Sequence, residues 1–259
     1  MAANALPDGI LRKGSLLLLL MVAIDAGFVG IHLVHTLTAA LPDPRFSLGH
    51  DGGYAEIFQY AKLLTVVWLL LSVWRKAWQP VFGAWALLYT YLLGDDALQF
   101  HELGGAAIAE TLGYSSRLGL RAVDFGELTI SAAFGVLFTV AIVVSYWRSS
   151  AGARHASQDL SVLFAALVFF GVGFDMLHAL AGIGVLGILF GLMEDGGELL
   201  AVSATMAYLL VLRSCGGTMV QPLWRRLMPA SLTQWLKPAI SSPSISELPP
   251  DGEHAMRAR

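Results

Sequence analysis

The feature that most constrains this chain is a series of apolar runs about 20 residues long, the length of helix that crosses the hydrocarbon core of a bilayer. Six are read, at approximately 15–38, 54–74, 81–102, 124–146, 159–180 and 190–212. The stretch GIGVLGILFGLM (182–193) is apolar too, so the sixth helix starts either near 190 or earlier, or follows a re-entrant turn. Only 14% of the 259 residues are charged and the mean hydropathy is +0.65. Soluble domains carry about 25% charged residues. The expected fold class is therefore all-α: a polytopic bundle of about six transmembrane helices.

The first run continues past the 7–15 apolar residues of a cleavable signal, so it is read as a retained span. Three segments follow: a cytoplasmic N-terminus (1–14), a six-helix transmembrane domain (15–213), and a basic, then Pro- and Ser-rich tail (214–259) expected to be disordered. Orientation follows from Lys and Arg. With the N-terminus inside, twelve of the 16 basic residues fall on inside segments and only Arg45, Arg117 and Arg121 on outside loops, while Lys62 lies within a span. N-in and C-in is the expected topology, in a bacterial inner membrane with the outer face toward the periplasm or exterior. A net charge of −3 with no basic motif gives no reason to expect nucleic acid. The single Cys215 excludes an intramolecular disulfide or thiolate cluster.

Against this background, ionisable groups gather at one leaflet. The third run ends in LLGDDALQFHELGG (92–105), with Asp95, Asp96, His101 and Glu102. Asp124 and Glu127 open the fourth run, Asp175 and His178 close the fifth, and Glu194, Asp195 and Glu198 lie toward the same end of the sixth. Glu56 stands just inside the second run with Lys62 deeper; Asp25, His32 and His35 lie on the first. The spacings of three, four and seven residues let each helix turn these groups to one face. A charge at the bilayer centre costs about 2.5–3.5 kcal/mol on the insertion scale, and facing carboxylates repel, so a neutralising cation is expected.

Carboxylate with imidazole is the donor set of iron, zinc or manganese. The expected metal site comprises Asp95, Asp96, His101, Glu102, Asp124, Glu127, Asp175, His178, Asp195 and Glu198. Asp25, His32, His35, Glu56, Lys62 and Glu194 are expected in a supporting shell or ion pathway. The expected function is a metal-dependent membrane oxidoreductase or hydrolase acting on a lipid, quinone or other apolar substrate. The alternatives are a proton or divalent-cation transporter, or a non-catalytic accessory subunit of a membrane complex. Each group also has a purely structural role open to it: Asp124 and Glu127 as first-turn acids of a helix, Asp175 with His178 or the first-run histidines in helix–helix hydrogen bonds, and Lys62 in an ion pair. No lysine in the last run can form a retinal Schiff base, and no Glu-x-x-His step of a carboxylate di-metal bundle occurs.

Overall fold

A computed structural model describes residues 8–182 and 184–223. The expectations for residues 1–7 and for the tail beyond 223 lie outside the described residues. The fold is all-helical, with no strand among the described residues. The helices are α1 (Asp8–Leu37), α2 (Tyr54–Ala77), α3 (Pro80–Leu98), α4 (Phe100–Thr111), α5 (Ala122–Trp147), α6 (Ala151–Val168), α7 (Asp175–Ala181) and α8 (Val185–Ser214). A π-helical turn, Phe169–Phe174, joins α6 to α7.

Four helical passages are long and apolar enough to cross a membrane: Gly9–Leu37, Tyr54–Ala77, Ala122–Trp147 and Ala151–Ala181. They cover the first, second, fourth and fifth expected runs. The third and sixth runs are helical too, as α3, with acids in its last turn, and α8, with acids toward its middle. The bundle leaves Leu16, Leu19 and Leu20 of α1 and Val136, Leu137 and Val140 of α5 exposed. Contiguous apolar surface of that kind marks a membrane or partner interface, and these helices are compatible with an integral membrane protein.

Several boundaries differ from the sequence reading; α1 begins at Asp8 and α6 at Ala151, each about two turns before the expected run. The third run does not continue to 102. Gln99 adopts a left-handed conformation (φ 53°) and its N–H donates to Asp95 O, which closes α3 and turns the chain into α4. The segment after 102, read as loop, is therefore largely helical. Gly105 and Gly126 bring α4 and α5 into backbone contact; a Cβ at 126 would strike the Gly105 carbonyl. The sixth helix begins at Val185, the earlier of its two starting points.

α8 is the hub. It packs against α1, α2, α6, α7 and the π turn. Its second half is buried at Val202, Leu209 and Leu212, against Val66 and Leu70 of α2 and Leu160 of α6. Inside this apolar packing sits one charged cluster. Lys62 is 2% exposed and Asp25 1%. The Lys62 ammonium donates to Asp25 Oδ1 (2.9 Å), Leu199 O (2.8 Å) and Ser203 Oγ (3.1 Å). Ser203 Oγ–H in turn donates to Asp25 Oδ2 (2.6 Å), and the ammonium also lies 4.9 Å from the Phe58 ring centre. Lys62 thus spends all three donors, and the cluster ties α1, α2 and α8 together.

Removing one partner of such a pair strands the other charge in an apolar interior, at about 3–5 kcal/mol, whereas replacing both with apolar groups is often neutral. Lys62→Met should therefore lose about that much stability in denaturant titrations of the detergent-solubilised protein. Asp25→Leu/Lys62→Met should recover most of it. Equal losses in the single and double variants would contradict a structural pair.

Candidate functional site: an acidic chamber opening on an apolar cleft

The helix directions bring the end of α3, the start of α5, α7 and the first half of α8 to one end of the bundle, beside the start of α2. The local chain geometry then aims the side chains. Asp95, in the last turn of α3, accepts from the backbone N–H of His101 (2.9 Å) and stands 3.1 Å from its ring Nδ1. This clamp fixes the α3–α4 turn and leaves Asp96 and His101 facing inward. On α2, Glu56 accepts from Gly52 N–H and from the Tyr60 hydroxyl, and Tyr60 also reaches Asp96 O (3.3 Å).

Together these elements enclose a cavity of about 680 Å³. Its lining includes Asp51, Glu56, Asp96, His101, Glu102, Glu127, Asp175, Glu194, Asp195 and Glu198. Arg121, His50 and His101 are the basic residues on the wall. Asp175 and Asp195 are both within Coulombic reach of Glu194, and Glu198 feels Asp96, Asp195, Asp175 and His101. Within this chamber, a wider π-helical turn places Gly171 against the Glu198 carboxylate, where a Cβ would collide. π-turns inside α-helices occur frequently at functional sites.

A second cavity of about 390 Å³ adjoins the first. Away from the chamber its walls are largely apolar, from Leu92, Phe134, Phe138, Phe164, Leu167 and Val202 among others. Seven residues line both cavities: Gln59, Asp96, His101, Glu127, Gly171, Asp175 and Glu198. An apolar cleft with a few convergent polar groups is the usual form of a small-molecule site.

Of the ten expected metal ligands, Asp96, His101, Glu102, Glu127, Asp175, Asp195 and Glu198 line the chamber. The other three stand elsewhere. Asp95 faces the apolar cleft and holds His101. Asp124 is occupied: its carboxylate accepts from Arg121 N–H (2.7 Å) and from the Arg121 guanidinium (2.7 and 2.9 Å), so it caps α5, the first-turn role open to it. His178 lies outside the lining, with Nδ1 3.0 Å from Glu194 Oε2. Among the described residues no three His, Cys, Asp or Glu side chains stand close enough to hold a metal ion.

In the expected supporting shell, Glu56 and Glu194 do line the chamber, whereas Asp25 and Lys62 form the buried pair below it. His32 and His35 serve the chain after α1: His32 Nδ1 accepts from Leu48 N–H (3.1 Å), and His35 Nδ1–H donates to Leu41 O (2.6 Å). Sequence reading left out Asp51, which accepts from Gln99 Nε2 (2.9 Å), and Arg121. Gln59, in neither expected set, lines both cavities.

The family described as Domain of unknown function (DUF8692) matches residues 15–212, and the chain belongs to it. No curated protein and no solved structure matches the chain.

The clamp gives a prediction. Asp95→Ala removes both acceptors from His101 and should speed hydrogen exchange at the His101 amide by roughly tenfold or more, the equivalent of one lost buried hydrogen bond. Unchanged exchange there would mean that Asp95 does not hold the turn.

Proposed function

We propose that this DUF8692 member is a six-span membrane enzyme, N-in and C-in, whose acidic chamber faces the periplasm or exterior and holds a divalent cation used on an amphipathic substrate. The observation that carries this reading is the shared wall: the same carboxylates and His101 line a polar chamber and an apolar cleft. A lipid or quinone could place its apolar part in the cleft and its polar end among the carboxylates. Iron, zinc or manganese suits carboxylate and imidazole donors. Asp175, Glu194, Asp195 and Glu198 are the ligands assigned by this reading, because they line the chamber together; no three of them stand within ligating distance as they are placed, so the reading requires their side chains to close on the ion. Iron would make the chemistry redox; zinc would make it hydrolytic.

Proton or divalent-cation transport is the second reading, favoured by the Asp25–Lys62–Ser203 cluster below the chamber. Against it, the core beyond that cluster is apolar at Leu63, Val66 and Leu70 of α2 and Leu209 of α8. The enzyme reading therefore ranks first. An accessory subunit would instead co-purify with another membrane protein and be inactive alone.

Elemental analysis of the protein purified without added metal should find near-stoichiometric iron, zinc or manganese. Asp175→Asn/Glu198→Gln should lose it while keeping the wild-type elution profile and helicity. Metal-free protein that gains none on titration would end the metal reading. Topology is tested separately in a Cys215→Ser background. Asp51→Cys should react with a membrane-impermeant maleimide in intact spheroplasts, and Lys76→Cys only after permeabilisation; the reverse pattern would invert the orientation.

A further inference from the structure

The end of the bundle opposite the chamber carries a second charged surface, of the opposite sign. Arg75 and Lys76 lie in the last turn of α2, Arg148 follows α5, Arg154 lies in the first turn of α6 and Arg213 in the last turn of α8. None of the five forms an ion pair among the described residues. Asp159, on α6, is turned into the bundle: it is buried and accepts from the Tyr208 hydroxyl and from Leu223 N–H (3.0 Å each).

Two chain turns at this end are held together. Ser150 N–H donates to Gln79 Oε1 (2.8 Å), and Val81 N–H donates to Ser149 Oγ (3.3 Å). The α2–α3 junction is thereby fixed against the α5–α6 junction. Each junction carries an outward tryptophan: Trp78 is 79% exposed and Trp147 70%. Trp78 closes α2 in the left-handed conformation (φ 50°), where glycine is the easy residue and a bulky side chain a rare one. Its ring gains little from the protein's own interior. Within three residues of these two rings stand Arg75, Lys76 and Arg148, all exposed.

The chemistry of this ledge names what covers it. An indole has an apolar body and one N–H, and favours the headgroup level of a bilayer. Cations at the same level, without partners in the protein, call for an anion there. A phospholipid of net negative charge meets both demands. A zwitterionic lipid offsets its phosphate with a cation of its own, and a soluble anion leaves the rings in water. We propose that the ledge formed by residues 75–78 and 147–148 binds the phosphate of an anionic phospholipid, with Trp78 and Trp147 at the depth of its glycerol and upper acyl chains. This goes beyond the enzyme reading. It requires the helices to lie in a bilayer, but neither the metal nor the chamber, and it holds for either orientation of the chain.

The test is native mass spectrometry of the full-length protein in detergent, titrated with phosphatidylglycerol and with phosphatidylcholine of the same acyl chains. The first bound phosphatidylglycerol should bind roughly tenfold or more tightly than phosphatidylcholine, since each basic residue near an anionic headgroup adds about fivefold. Arg75→Gln/Arg148→Gln should remove most of that preference. Arg45→Gln/Arg117→Gln, which takes the same charge from the opposite end, should leave it in place. Trp78→Ala/Trp147→Ala should weaken both lipids and keep the preference.

Equal binding of the two lipids by the wild-type protein would overturn the proposal, whatever the variants do. So would equal loss in the two charge variants, which would reduce the effect to net charge. Binding unchanged by loss of both tryptophans would place the lipid elsewhere and overturn the ledge as its seat. Glycerol phosphate, added in excess, should not displace the lipid; displacement would mean a site for a soluble anion instead.

Discussion

The buried Lys62–Asp25 pair is the interaction on which the rest of the architecture depends. Three helices that are otherwise held by non-directional apolar contact share one directional, charge-assisted contact deep in the bundle. Apolar packing alone tolerates rotation of a helix about its axis, particularly in a bilayer, where lipid tails are as apolar as leucine. The ammonium requires an acid from α1, a carbonyl and a hydroxyl from α8, all at once. That requirement fixes the rotation of α2 and α8, and the same rotation turns Glu56 and Gln59 one way and Glu198 the other, toward a common space. Stability and site geometry therefore have one source.

The chamber is shaped by what the chain leaves out as much as by what it supplies. Gly171 leaves room for the Glu198 carboxylate, Gly49 lets Asp195 approach, and the Gly105–Gly126 contact lets α4 lie on the start of α5. Each replaces a side chain with space at a point where a charged group or a second backbone must come close. The carboxylates could not assemble at this density if every flanking position carried a Cβ.

Much of this was legible in the sequence, for definite reasons. Apolar runs of membrane-crossing length located α1, α2, α5 and the α6–α7 passage closely. Spacings of three, four and seven residues set Glu127, Asp175 and Glu198 on inward faces, and all three line the chamber. The break at Gln99 was not legible, because no glycine or proline marks it and the left-handed turn is held by a bond back to α3 and by the Asp95–His101 clamp. Asp124 was misleading for a related reason: an acid at the third position of a helix serves its own N-terminus first. His32 and His35 face backbone groups of the following loop, and such partners carry no signal in composition or spacing.

The π turn at Phe169–Phe174 has a consequence for how this site can be lost. Its wider hydrogen bonding, from residue i to i+5, accommodates one residue more than an α-helical turn would. Everything after it is therefore out of phase with α6 by about 100°. Asp175 faces Glu198 because of that surplus and not because of its distance from any residue in α6. A single-residue deletion anywhere in the turn would restore a regular helix and swing Asp175 out of the chamber with every chamber side chain still encoded. For this chain, the identity of the site is written partly in length, so variation by insertion or deletion between 169 and 174 would abolish it more surely than most substitutions at the acids themselves.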